Sequence, residues 1–148
     1  MVSYGLTNDP PGEEESAKSF AIRLAHSGNG GATIDSRVDV HDPAAAQLFI
    51  HPQMALEAGG AINFVYYAGL FPDDPGGAYR WSRAEKPLSA VGPSQVIEAE
   101  VNFLADRADS RWLGDYTGAF WAKGTLYTSY VVNSTGLSHI AFAKVKTP

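Results

Sequence analysis

A chain of 148 residues with 45% apolar and 18% charged side chains can build one domain with a core of its own, which excludes global disorder. Cysteine is absent, so disulfides, thiol catalysis and cysteine-zinc sites are excluded, though the redox compartment is left open. The net charge of −5, without a basic cluster, speaks against nucleic acid as a partner, and no apolar run approaches the ~20 residues of a membrane span. The opening MVSYGLTNDPP has neither a basic n-region nor an apolar h-region, so no signal peptide is read there; a mature or trimmed secreted chain would read the same.

In chain order, Val2–Leu6 is a short apolar run that reads as a strand. Thr7–Ser16, with Asp-Pro-Pro-Gly and the acidic run Glu13 to Glu15, reads as an exposed loop. A strand is expected over Ser19–His26, a tight turn over Ser27 to Ile34, and an outer strand over Thr33–Val40. His41-Asp42-Pro43 ends it and Ala44–Gln47 is a short connection. Strands follow at Pro52–Leu56, Ala61–Ala68, Ala78–Ser82 and Gln95–Ala99, with a polar loop from Phe71 to Gly77. The last third is the clearest: Tyr116–Ala122, a turn at Lys123-Gly124, Thr125–Val132, a turn at Asn133 to Gly136, and His139–Val145. Tyr, Val, Ile, Phe, Thr and Trp fill these runs and Gly or Asn-Ser-Thr-Gly separates them, as in an antiparallel meander.

The meander repeats. With Gly124 set on Gly60, an offset of 64, Ala119 meets Ala55, Phe120 meets Leu56, Leu126 meets Ile62 and Tyr130 meets Tyr66. A further strand occurs as AIRLAH from Ala21, AYRWSR from Ala78 and HIAFAK from His139, at offsets of 57 and 61. Each copy is apolar at its second and fourth positions and basic at its sixth, the pattern of a strand buried mainly on one face. A period of about 60 residues built from antiparallel strands is the signature of propeller blades. The expected fold is all-β: one domain over residues 1–148, with blade-like units at about 1–42, 48–105 and 112–146. The alternative is a β-sandwich whose strands are alike only in composition.

Ser27-Gly28-Asn29-Gly30-Gly31-Ala32-Thr33-Ile34 resembles the Asp box of the bacterial-neuraminidase repeat, S-x-D-x-G-x-T-W. Ser27, Gly31 and Thr33 match, Asn29 stands where the box has Asp, and Ile34 replaces the aromatic. The resemblance implies a sialidase-superfamily propeller, four-stranded blades, and a box on the hairpin between third and fourth strands, far from the active face. The box residues are therefore read as structural. The same resemblance implies an arginine triad for a substrate carboxylate, a Tyr nucleophile assisted by Glu, and an Asp acid/base. Tyr116, at the head of an innermost strand, resembles the nucleophile in position, with Asp115 beside it; taken by itself it reads as a rim tyrosine near the pseudo-axis. Arg107, Arg111 and Trp112 are the candidates for ligand contact at the rim, through bidentate pairing and stacking. No Phe-Arg-Ile-Pro-type segment supplies the leading arginine, so a complete active site is not encoded in this chain.

The remaining polar groups are read as ordinary. His26, His41, His51 and His139 lack metal-ligand spacing. Asp73-Asp74 has too few ligands for calcium, so no metal or cofactor is expected. Arg23 and Arg80 are repeat-equivalent and read as structural or solvent-facing, and Trp81 as core. The function expected is a non-catalytic propeller module that binds glycan or protein. The alternative is part of a sialidase-type glycoside hydrolase whose other active-site residues lie outside this chain. The resemblance alone favours a secreted or cell-surface setting. Since known propellers close with at least about four blades, a homodimer or a partner chain is expected to complete the ring, with Val2–Leu6 and His139–Val145 at the junction.

Overall fold

Short runs of β-branched and aromatic residues, broken by glycine and polar turns, produce ten strands and no helix among the described residues. The computed structural model describes residues 2–7, 20–40, 48–69, 76–86, 88, 90–102, 117–133 and 138–148. The strands form three antiparallel sheets taken up in chain order. The first joins β1 (Val2–Thr7), β2 (Phe20–His26) and β3 (Ser36–Asp39). The second joins β4 (Leu48–Leu56), β5 (Ile62–Gly69), β6 (Gly76–Ala84) and β7 (Gln95–Asn102). The third joins β8 (Gly118–Ala122), β9 (Thr125–Val132) and β10 (His139–Lys146). No helix among the described residues is long and apolar enough to cross a membrane.

Several strand ends differ from the sequence expectation, each for a local reason. β3 begins at Ser36 rather than Thr33, because the Thr33 amide is taken by the preceding turn. β4 begins at Leu48, before Pro52, because a bulge carries the strand past the proline. His51 takes φ 52°, the register shifts between Ile50 and Gln53, and Pro52 sits where no ladder N–H is required. β6 takes in Gly76 and Gly77, expected as loop, which pair with Asn102 and Val101. The ungapped repeat also slips by one in its first strand. Leu56 pairs with Ile62 across the longer Glu57 to Ala61 turn, whereas Trp121, not Phe120, pairs with Leu126 across Lys123-Gly124. Lys123 and Gly124 have φ 48° and 72°, the two left-handed residues of a tight hairpin.

The second sheet is covered on both faces. Ile62, Phe64, Tyr66 and Ala68 of β5 pack with Ile22, Leu24, Val40, Phe49 and Ala84 in one core. Val65 and Tyr67, with Tyr79 and Trp81 of β6, pack with Leu126, Tyr130 and Val132 in the other. Burying each large side chain of this kind is worth about 1.5–3 kcal/mol, so the two cores hold the stack of sheets together.

The second core is fastened by tyrosines. The Tyr67 hydroxyl accepts from the Val131 amide at 2.7 Å and donates to the Val131 carbonyl at 3.2 Å. Tyr79 and Thr128 share a hydrogen bond of 2.8 Å, and the Tyr79 and Tyr130 rings stack at 4.4 Å. Burial, the largest influence on each, raises the phenols of Tyr67, Tyr79 and Tyr130 above the ordinary value of 10.0, Tyr67 to about 12. A raised folded-state pKa adds stability that is complete below the unfolded value and is lost as pH rises through the folded one. The sheets are therefore expected to separate between about pH 10 and 12. Tyrosinate absorbance and circular dichroism should change together in that window. Ionisation of all seven tyrosines near pH 10 with the fold intact would contradict this coupling.

Candidate functional site

In a meander, successive connections fall at alternate ends of the sheet. At one end lie the turns between β2 and β3, β4 and β5, β6 and β7, and β8 and β9. At the other end Thr7 faces Phe20, Gly69 faces Leu48 and Gly77, and Val132 faces His139.

At that second end, hydrogen bonds hold the two described residues that flank the sequence candidates, Asn102 and Thr117. Asn133 accepts from the Asn102 amide at 2.9 Å and donates to the Asn102 carbonyl at 2.6 Å, tying the end of β7 to the third sheet. Thr117 donates to the His51 carbonyl at 3.3 Å, which sets the head of β8 beside the β4 bulge. β4 and β7 are opposite edges of the second sheet. Arg107, Arg111, Trp112, Asp115 and Tyr116 belong to the interval between Asn102 and Thr117 and lie outside the described residues. The His51 ring meets Tyr67 edge-on at 5.9 Å, which continues the aromatic row of Tyr67, Tyr79 and Tyr130 to this end.

At the first end, the box-like turn is a closed set of local hydrogen bonds. The Ser27 hydroxyl accepts from the Gly31 amide at 2.8 Å and donates to the Asn29 side-chain oxygen at 2.9 Å. That oxygen also accepts from the Thr33 amide at 3.0 Å, while the Asn29 amide nitrogen donates to the Thr33 hydroxyl at 2.9 Å. Asp35 closes the hairpin, accepting from the Gly28 amide through its side chain and donating its own amide to the His26 carbonyl. The Asn29 side-chain oxygen thus serves as the acceptor for a backbone amide inside the turn, as Asx side chains do. Its second function, the amide donor, occupies the Thr33 hydroxyl.

The same end holds a buried charged network that the sequence did not single out. Arg83 donates to both Glu57 oxygens at 2.7 and 2.9 Å and also pairs with Glu85. Asn63, fully buried in β5, donates to Glu57 at 2.9 Å and accepts from the Trp81 indole N–H at 2.8 Å. Hydrogen bonding from Arg83, the largest influence, holds the Glu57 carboxyl below its usual range against the opposing pull of burial. Beside it is a cleft of about 530 Å³ lined by Trp81, Arg83, Glu85, Lys86, Val91 and Pro93, among others. With Arg83 compensated by two carboxylates, the cleft offers apolar surface and the Lys86 ammonium. Arg23 pairs with Asp39 at 2.6 Å and Arg80 donates to Ser94 at 2.8 Å, so both repeat-equivalent arginines tie neighbouring segments of their sheet together. No cluster of three or more potential His, Asp or Glu metal ligands occurs among the described residues.

No family model, no curated protein and no solved structure matches this chain.

Gly31 has φ 96° and open space where a Cβ would stand, so a substitution there meets backbone strain without a clash. Gly31→Val should destabilise by about 1 kcal/mol or more, read as a lower melting temperature, because β-branched residues avoid positive φ. For Glu57 the folded pKa lies below 4.5, so its contribution is complete above that pH and is lost as pH falls through the folded value. Arg83→Met strands the buried carboxylate and should cost about 3 kcal/mol at neutral pH. Denaturant melts should show that deficit shrinking in acid, where protonated Glu57 no longer needs its partner; a deficit independent of pH would count against the pairing.

Proposed function

We propose that this chain is a run of three blade-like sheets of the sialidase-superfamily type that serves as a non-catalytic module binding glycan or protein. The single observation that carries the reading is the β2–β3 hairpin. There Ser27, Asn29, Gly31 and Thr33, the four positions that resemble an Asp box, are joined by hydrogen bonds and Gly31 takes a positive φ, which supports the resemblance. The antiparallel meanders, stacked face to face in chain order, support it.

The binding end in this reading is the one opposite the box, where β7 leaves at Asn102 and β8 starts beside His51. Arg107, Arg111 and Trp112 fall in the intervening sequence and have the chemistry that recognises a sugar carboxylate and a pyranose face. Catalysis is not part of the reading, because the chain lacks a segment for the leading arginine of the family's triad. Tyr116 and Asp115 then serve as rim residues rather than as nucleophile and acid.

Glycan-array binding set beside hydrolysis of a fluorogenic sialoside tests the proposal. Binding without turnover is expected, with affinity reduced tenfold or more by Arg111→Ala or Trp112→Ala and unchanged by Tyr116→Phe. Turnover that Tyr116→Phe abolishes, with the melting temperature unchanged, would overturn the non-catalytic reading in favour of a hydrolase.

A further inference from the structure

The outward face of the third sheet is apolar and bare. Phe142 is 81% exposed, Phe120 65%, Ile140 60% and Tyr127 40%. They share one face by register: Phe120 and Lys144 flank Tyr127, Phe142 pairs with Ser129, and Ile140 pairs with Val131. Monomeric proteins seldom leave a contiguous patch of this kind uncovered.

Position in the repeat says what covers such a face. Ile22 and Leu24 of β2 pack on the second sheet, and Tyr79 and Trp81 of β6 pack on the third. Ile140 and Phe142 are the same two positions of β10. Each copy of this pair except the last is covered by the sheet that follows. The covering sheet is marked too: it brings a tyrosine paired with the third residue of the repeated strand. Tyr66 pairs with Arg80 and packs on the first sheet; Tyr130 pairs with Ala141 and stacks on Tyr79. In the first sheet that register position is held by Tyr4, paired with Arg23. Val2 and Leu6 likewise match Phe64 and Ala68, the apolar neighbours of Tyr66.

We infer that the outward face of the third sheet docks on the first sheet of a second copy of this chain, bringing the Tyr4 position against Ile140 and Phe142. The inference rests on the blade reading given above. The contact repeats the two sheet interfaces already inside the chain, and when made reciprocally about a two-fold axis it closes on itself. At ~200 Å² per large side chain, the exposed fraction of the four residues comes to roughly 500 Å². Two such junctions then cover about 1,000 Å² on the third sheets alone, enough for a specific interface.

Light scattering on the wild-type chain and on Phe142→Lys tests this. The wild type is expected at twice its 15.8 kDa mass, and Phe142→Lys at the single mass with unchanged circular dichroism and a cooperative melt. Phe142 makes little contact within its own chain, so loss of the dimer reports the junction and not unfolding. The absence of native cysteine allows the geometry to be read directly. With a bis-maleimide reaching ~10 Å, the spacing of packed sheets, an equal mixture of Phe142→Cys and Arg23→Cys should cross-link between variants, and neither should do so alone. A wild-type monomer, a Phe142→Lys dimer, or Phe142→Cys that cross-links to itself would each overturn the inference. A monomer that still binds glycan would sink the dimer and leave the functional proposal standing, whereas a dimer that hydrolyses the sialoside, with turnover abolished by Tyr116→Phe, would overturn the functional proposal and leave the dimer standing.

Discussion

The central strand β5 has no solvent face. Every residue from Ile62 to Gly69 is buried, so both sides of the second sheet must be covered for the chain to fold at all. One side is met by Ile22 and Leu24, the other by Leu126, Tyr130 and Val132. The first and third sheets are thus held in place by one strand sequence, INFVYYAG, which contains no charged residue. The partners lie far apart in sequence; Tyr67 and Val131, for example, are 64 residues apart. Such long-range contacts close long loops, so the stack depends on large aromatic contacts to offset the loss of chain entropy.

Burying aromatic residues with polar tips brings a second requirement, that each buried donor or acceptor finds a partner. Tyr66 meets Ser82, Tyr67 meets the Val131 backbone, Tyr79 meets Thr128, and the Trp81 indole meets Asn63. Asn63 in turn leads to Glu57 and so to Arg83, whose side chain is nearly buried beside it. These bonds fix which face of each strand looks which way. A slip of one residue would move Tyr67 and Asn63 into the opposite core and leave their polar atoms unpaired.

The two ends of the stack have separate chemistry. The end with short turns is closed by hydrogen bonds within the turns themselves, at Ser27–Asp35 and at Glu57, whose amide and carbonyl pair with Ala61 and Gly60. At the other end the strands stop, the bulge at His51 re-aims β4, and Asn133 clamps Asn102.

Local chemistry alone made much of this legible. The β-branched and aromatic runs, the glycine turns and the period near 60 residues mark the strands and their grouping into three meanders, since side-chain alternation and turn preference act over a few residues. The Ser27–Thr33 turn was legible for the same reason: its bonds close within a seven-residue stretch. The candidates Arg107, Arg111 and Trp112 came from residue chemistry and resemblance, and their interval is bounded by the fixed points Asn102 and Thr117. Only the tertiary structure decided the rest. The ladder, not the motif, set the one-residue slip between Leu56 and Trp121, because turn length changes the pairing without changing the pattern. Packing between sheets chose Tyr67 and Tyr79 as fasteners, and strand pairing within the second sheet brought Arg83 to Glu57, 26 residues away. It also separated three copies of one strand that sequence makes alike: Ile22–Leu24 and Tyr79–Trp81 are buried, and Ile140–Phe142 are exposed, because burial depends on whether another sheet follows and not on the residues themselves.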